Sequence, residues 1–171
     1  MFPIMLNIRG RKCTVAGGGN VAERKVKTLL KYGADVTAVS PVFKDRFPNV
    51  KRLEKEYSSS DIKNSFLVIA ATDNKEVNQT IYNDAKKRNI LVSLSDDTEH
   101  SDFILPSSKN YDDITISVST NGKSPALAKK ISQIKSNDLE LYASILPIIE
   151  KYRSILTSEI RDTKKEILNF M

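Results

Sequence analysis

Residues 15–25 read VAGGGNVAERK, a glycine cluster placed between an apolar run and a helical pattern. Gly17, Gly19 and Ala22 fit the pattern G-x-G-x-x-G/A that opens dinucleotide-binding domains. Gly17 permits a tight turn, Gly19 lets a pyrophosphate approach the backbone, and Ala22 keeps the following helix close to the sheet. The N-terminus of that helix, with the amides of Asn20 and Val21, would stabilise the phosphate charge. The stretch therefore predicts a Rossmann-type domain that binds NAD or a close relative.

Strand-like and helix-like segments alternate around this turn. Apolar runs predict strands at 4–8 (a short edge strand), 12–16, 35–40, 65–71 and 90–94. Apolar residues at helical spacing predict one helix after the glycines, ended by Gly33, and another through Val77, Ile81 and Ala85. This alternation favours an α/β fold with a mostly parallel sheet and right-handed crossovers.

The pattern changes after Asp96. Residues 103–105 and 114–118 are two further strand candidates, arranged like a hairpin or arm, and helical patterning follows from Ser124. We expect domain boundaries near residues 110 and 137, with a helical tail over 138–171.

Composition limits the choice of compartment and ligand. The 171 residues include one cysteine, Cys13, so no internal disulfide can form, and a reducing compartment is the simpler interpretation. We find no apolar run long enough for a signal peptide or a membrane span, and we expect a soluble cytoplasmic protein. The net charge of +6, without tryptophan or an aromatic-basic stripe, favours an anionic small molecule over nucleic acid.

One expected element of the cofactor site is missing. A Rossmann domain usually ends its second strand with an acidic residue that bonds the ribose hydroxyls. Here that region reads Ser40, Pro41 and Val42, with Lys44 and Arg46 nearby. A serine can bond a ribose without repelling a 2′-phosphate, and the two cations could attract one. The residues alone therefore leave NAD and NADP open.

Four blocks together carry a family resemblance. They are FPIMLNIRGRKCTVAGGGNVAERK at 2–25, LVIAATDNKEVN at 67–78, DFILPS at 102–107 and ISVSTNGKSPALAKKI at 116–131. With these motifs the chain resembles precorrin-2 dehydrogenase, the stand-alone enzyme and the amino-terminal module of sirohaem synthase. The resemblance implies an NAD-dependent oxidation of precorrin-2 to sirohydrochlorin, on the way to sirohaem or cobalamin. It also implies a homodimer. The composition and the lack of a long apolar run are the reasons to expect no nucleic acid and no membrane as partner.

The resemblance divides the chain into an NAD-binding Rossmann domain over 1–110, a dimerisation and substrate-contact segment over 111–137, and the helical tail. It implies that Asp96 is the catalytic group, although Ser93 stands where the family commonly has asparagine. From the residues alone, Asp96 could accept a proton at the carboxyl end of a parallel strand, or merely cap the following turn.

Other residues are candidate ligand contacts. Thr72 and Asp73 follow a strand and should border the cofactor together with the glycine turn and residues 40–42. Thr120, Lys123 and Ser124 are candidate contacts to the carboxylates of the tetrapyrrole, although Ser124 could equally begin a helix. We predict no protein-bound metal, because the one histidine, His100, has no cysteine or histidine partner in the pattern.

Two alternatives remain at this stage. A nucleotide-sensing Rossmann module without chemistry would explain the first hundred residues but not the block at 116–131. A bifunctional enzyme of the same fold, which also inserts iron or cobalt, is the second alternative.

Overall fold

The computed structural model describes residues 1–111, 114–121 and 123–132. The chain divides into two compact units, the first Met1–Leu105 and the second beginning at Pro106. The tail predicted over 138–171 lies outside the described residues, and the predicted boundaries near 110 and 137 stay predictions.

In the first unit, five parallel strands form one sheet with the order β3-β2-β1-β4-β5. The elements along the chain are β1 (Lys12–Ala16), α1 (Asn20–Lys31), β2 (Asp35–Ser40), β3 (Lys51–Glu54), a 3-10 helix (Ser59–Ile62), β4 (Leu67–Ala70), α2 (Lys75–Lys87) and β5 (Leu91–Leu94). The order reverses between β1 and β4, where the chain switches from one half of the sheet to the other. Open α/β sheets bind their ligands outside the carboxyl ends of the strands at such a point. The predicted Rossmann-type parallel sheet is confirmed.

Each face of the sheet packs against one helix. Val15 and Ile69 point to the face covered by α1, whereas Ala16 and Val68 point to the face covered by α2. Helix α1 buries Ala22, Val26 and Leu29, and helix α2 buries Asn78, Ile81 and Ala85. Because both faces are covered, the central strands read as continuous apolar runs, which is why the sequence revealed them.

The strand predicted at 4–8 is wrong. These residues adopt no regular secondary structure, and of this segment only Ile8 is buried, while Ile4, Met5 and Leu6 are exposed. The sheet edge is formed instead by β3, whose sequence KRLE is exposed or half-buried and gave no apolar signal. Edge strands often carry charge in this way, because charged residues deter pairing with another chain.

The second unit contains an antiparallel pair, β6 (Ser107–Tyr111) and β7 (Ile114–Val118), and helix α3 (Pro125–Ser132). The predicted hairpin is present, but its first strand begins at Ser107 and the strand predicted at 103–105 is wrong. Phe103 and Leu105 instead pack against the core of the first unit, so their apolar character reflects burial rather than strand pairing. No helix within the described ranges is long and apolar enough to cross a bilayer.

Candidate functional site

The turn after β1 requires glycine at Gly17. Its φ of +126° lies in the region that favours glycine, and an added Cβ would overlap the carbonyl oxygen of Ala71. The N–H of Gly17 donates to the carbonyl of Val39 at 2.8 Å. The turn is thereby fixed between β2 and the end of β4.

Gly19 differs from the other glycines of the cluster, because nothing lies within 4 Å of the position that a Cβ would take. It is the N-cap of α1, and no side chain caps this helix end. The first N–H groups of a helix have no partner within the helix, and here the residue before them has no side chain and free space where a Cβ would lie. This cradle fits a dinucleotide pyrophosphate, which would be held by the amides of Asn20 and Val21.

The loop after β2 closes onto the glycine turn. The hydroxyl of Ser40 donates to the carbonyl of Val42 at 2.7 Å, and the N–H of Lys44 donates to the carbonyl of Gly18 at 3.0 Å. A Cβ on Gly18 would overlap that Val42 carbonyl, so the loop and the turn fit together only with glycine there. Ser40 is buried, whereas Pro41 and Val42 are exposed. The Ser40 hydroxyl donates its proton to the loop, so in the predicted contact with a ribose Ser40 would act as the hydrogen-bond acceptor.

An ion pair that the sequence did not reveal lies beside this loop. The ammonium of Lys44 donates to Oδ1 of Asn20 at 2.6 Å and to Oε2 of Glu23 at 2.7 Å. Glu23 also pairs with Lys27 at 2.6 Å. Hydrogen bonds from Lys27 and Lys44 lower the pKa of Glu23 to about 2. Lys44, one of the two cations that could attract a 2′-phosphate, is therefore paired with a carboxylate.

The ends of β4 and β5 are joined through Asn78 on α2. Its Oδ1 accepts the hydroxyl of Thr72 at 2.7 Å and the N–H of Thr72 at 3.2 Å, and its Nδ2 donates to the Thr72 carbonyl at 3.1 Å. The same Nδ2 lies 3.5 Å from Oδ1 of Asp96. Asn78 is only 3% exposed, so its side chain is held firmly. Thr72 and Asp96 thus lie at the edge of the sheet formed by the carboxyl ends of its strands. Asp73, beside Thr72, is exposed.

Main-chain hydrogen bonds extend this edge past the ends of the strands. Three N–H groups just beyond strand ends donate to the neighbouring strand: Gly17 to Val39 at 2.8 Å, Ala71 to Ala16 at 2.8 Å and Ser95 to Ala70 at 2.9 Å. The edge that carries the candidate site is therefore fixed by backbone geometry.

The turn after β5 is capped by Asp97 rather than by Asp96. The carboxylate of Asp97 accepts the N–H groups of Glu99 and His100 and lies 2.7 Å from Nδ1 of His100. The bonds from His100 and Glu99 lower the pKa of Asp97. Asp96 is exposed and takes part in none of these turn bonds, so its carboxylate faces solvent beside Asn78. The turn-capping alternative for Asp96 therefore applies to its neighbour.

The candidate substrate residues in the second unit form a turn and a helix cap. The hydroxyl of Thr120 accepts the N–H of Ser124 at 2.9 Å, and the hydroxyl of Ser124 accepts the N–H of Leu127 at 3.3 Å. Ser124 is the N-cap of α3, so the interpretation that it begins a helix is confirmed. Lys123 is exposed, and its N–H donates to the Thr120 carbonyl. Contact of these residues with a tetrapyrrole stays a prediction.

Two other residues with reactive side chains lie outside the candidate site. Cys13 is 1% exposed, and burial together with the nearby Asp35 raises its pKa to about 11. A thiol in that state is a poor nucleophile. His100 is exposed and paired with Asp97. Within the described residues, no group of three or more His, Cys, Asp and Glu is arranged to hold a metal.

Comparison with known proteins agrees with this geometry. A family model described as "Putative NAD(P)-binding" matches residues 4–107, and one described as "Sirohaem biosynthesis protein central" matches residues 112–131. A siroheme synthase of Photobacterium profundum is 42% identical over 138 residues, which are 77% of this chain and 29% of that protein. A siroheme synthase of Nitrosococcus oceani is 34% identical over 93% of this chain and 36% of that protein. The chain thus spans about a third of the length of these curated relatives.

A solved structure named "SirC, precorrin-2 dehydrogenase" is similar along almost the whole chain. The TM-score is 0.71 at 26% sequence identity, over 92% of this chain and 81% of that one. The predicted resemblance and the predicted dinucleotide-binding domain are both confirmed. The chain therefore belongs to the NAD(P)-binding family whose members include sirohaem biosynthesis proteins.

Proposed function

We propose that this chain catalyses the NAD-dependent dehydrogenation of precorrin-2 to sirohydrochlorin. The observation that carries the proposal is the row of groups along one sheet edge: the open glycine turn after β1, Thr72 after β4 and Asp96 after β5. Removal of a hydride and a proton needs a bound dinucleotide to accept the hydride and a nearby base to accept the proton. The glycine turn and the exposed carboxylate of Asp96, at the same end of the sheet, provide these two sites. The similarity to a solved protein named precorrin-2 dehydrogenase supports the choice of substrate.

The residues divide the chemistry between them. NAD, when bound, supplies the acceptor for the hydride. The carboxylate of Asp96 takes the proton that leaves the tetrapyrrole as the new double bond forms, and passes it to solvent. The amide of Asn78 donates to that carboxylate and keeps it oriented beside Thr72. The net change is the loss of two hydrogens from the substrate, one as hydride and one as proton.

We assign the cofactor contacts to the glycine turn and the strand ends around it. The residues are Gly17, Gly19, Asn20, Val21, Ser40, Pro41, Val42, Thr72 and Asp73. Thr120, Lys123 and Ser124 would contact the carboxylates of the substrate, for which the net charge of +6 provides a favourable field.

The domain assignment and the surroundings belong to the same proposal. Residues 1–110 would bind NAD, 111–137 would form the dimerisation and substrate-contact segment, and 138–171 would form a helical tail. We propose that the chain acts as a homodimer in the cytoplasm, with no nucleic acid and no membrane as partner.

The test is an anaerobic assay with fresh precorrin-2 and NAD⁺, followed by absorbance of NADH and of the oxidised macrocycle. We expect one NADH for each precorrin-2 consumed. Binding of NAD⁺ without turnover would overturn the proposal and favour the nucleotide-sensing alternative. A second incubation, with sirohydrochlorin and Fe²⁺ or Co²⁺, tests the bifunctional alternative, to which the siroheme synthase names of the relatives lend support.

A further inference from the structure

The ion pair between Glu23 and Lys44 lies where Rossmann domains distinguish their cofactors. The loop after the second strand normally carries either an acid that bonds the ribose 2′-hydroxyl or a cation that accepts a 2′-phosphate. In this chain the strand ends in Ser40, and no acid stands directly after it. Further along, the loop carries two cations, Lys44 and Arg46, with one acid, Asp45, between them. By this rule alone, the loop would favour NADP.

The position of Lys44 is fixed at two points. Its N–H donates to the carbonyl of Gly18 at 3.0 Å, which ties the backbone to the glycine turn. Its ammonium lies 2.6 Å from Oδ1 of Asn20 and 2.7 Å from Oε2 of Glu23, in the first turn of α1. A phosphate on the ribose would therefore meet an ammonium that a carboxylate already holds.

Glu23 is shared between two lysines, and its pair with Lys44 is the less exposed to solvent of the two. The Glu23 side chain is 15% exposed and that of Lys44 is 35% exposed, whereas Lys27, the other partner of Glu23, is 64% exposed. Solvent screens the charge of Lys27 more than that of the Glu23–Lys44 pair. Near the glycine turn, a bound dinucleotide would therefore feel mainly the opposite charges of Glu23 and Lys44.

We propose that Glu23 determines the preference of this chain for NAD over NADP, by neutralising Lys44 beside the glycine turn. The first turn of α1 thus supplies the negative charge that the end of β2 lacks. This inference rests on the proposed use of NAD and concerns the dinucleotide alone. It assigns no part in the reaction to either residue.

The test is a comparison of dissociation constants for NAD⁺ and NADP⁺, measured by calorimetry without tetrapyrrole. We expect the unmodified chain to bind NAD⁺ more tightly. In Glu23→Gln, the ratio of NADP⁺ affinity to NAD⁺ affinity should rise about three- to tenfold, the effect of one charge-assisted contact that is partly exposed. The gain should shrink at high salt.

A double variant separates this effect from a general change in the helix. In Glu23→Gln with Lys44→Gln the gain should disappear, and in the matched control Lys27→Gln the ratio should stay that of the unmodified chain. Thermal unfolding of each variant checks that it is folded. An unchanged ratio in Glu23→Gln, or a gain that persists without Lys44, would overturn the inference. Neither result bears on the oxidation of precorrin-2, which the turnover assay tests separately.

Discussion

The side-chain nitrogen of Asn78 lies 3.5 Å from the Oδ1 atom of Asp96, so a buried amide on α2 contacts the carboxylate that follows β5. The opposite end of the same amide accepts two hydrogen bonds from Thr72. One side chain therefore links the proposed proton acceptor to the loop proposed to border the cofactor. Its replacement should affect both stability and chemistry.

Asn78→Ala should lower the free energy of unfolding by about 2 kcal/mol, because it removes the three hydrogen bonds between the buried Asn78 amide and the half-buried Thr72. Asn78→Asp keeps the shape and an acceptor for Thr72, but it puts a second negative charge beside Asp96. The acidic limb of the pH–rate profile should then move to higher pH, because a nearby like charge disfavours ionisation. Urea unfolding and pH–rate measurements check the two variants. A profile that stays in place in Asn78→Asp would show that a charge at position 78 does not act on the group that accepts the proton.

Asp96→Ala should bind NAD⁺ as the unmodified chain does and lose turnover by about 100-fold, the usual lower range for a general base. The matched control is Asp97→Ala, one residue away. Because Asp97 holds the turn through Glu99 and His100, its loss should reduce stability and leave most of the turnover. Steady-state kinetics and NAD⁺ titration distinguish the two. Near-normal turnover in Asp96→Ala would remove this carboxylate from the mechanism.

Replacement by alanine should affect stability at one glycine of the turn and NAD⁺ binding at another. Gly17→Ala forces a Cβ into the Ala71 carbonyl at a positive φ, and we expect a loss of about 3 kcal/mol in the free energy of unfolding. Gly19→Ala meets open space and should change that free energy by no more than about 1 kcal/mol. It should nevertheless weaken NAD⁺ binding about tenfold or more, because the methyl group would stand where the pyrophosphate approaches. Tight NAD⁺ binding by Gly19→Ala would place the pyrophosphate elsewhere.

The Glu23 carboxylate should contribute to stability in a defined range of pH. Its pKa is lowered from 4.5 to about 2 by bonds from Lys27 and Lys44, so between these values the folded chain binds fewer protons than the unfolded one. Its contribution is complete above pH 4.5 and is lost as the pH falls towards about 2. The difference in unfolding free energy between the unmodified chain and Glu23→Gln should therefore narrow as the pH is lowered from 6 to about 3. A constant difference over this range would contradict the pairing.

The sequence predicted those parts of the fold that depend on burial on both sides of the sheet. The apolar runs of β1 and β4 and the glycine turn between β1 and α1 are such parts, because buried strands and a tight turn each leave a pattern in the sequence. The edge strand β3 escaped prediction because its exposed KRLE sequence carries no apolar periodicity. The strand predicted at 103–105 is absent, and its prediction is wrong because a three-residue segment that packs against a core has the same apolar pattern as a short strand.

The sequence predicted the placement of residues that directly follow a strand, and it did not predict contacts between residues from distant segments. Asp96 and Thr72 could be placed on one edge because parallel strands end together. Glu23 and Lys44 are 21 positions apart, one on a helix and the other in a loop. The pattern of charges along the chain does not predict that they form an ion pair. The choice between Asp96 and Asp97 as the turn cap likewise depended on local backbone geometry.

The main-chain bonds that join Gly17, Ala71 and Ser95 to the neighbouring strands have a consequence for protein engineering. Amide-to-carbonyl bonds hold the same geometry whichever side chains are attached to them. The edge is therefore a scaffold on which binding groups can be exchanged one at a time, as long as Gly17 and Gly18 are kept. A library restricted to residues 41–44, 72–73 and 95–96 would test the proposed cofactor and substrate contacts while the five strands of the sheet stay unchanged.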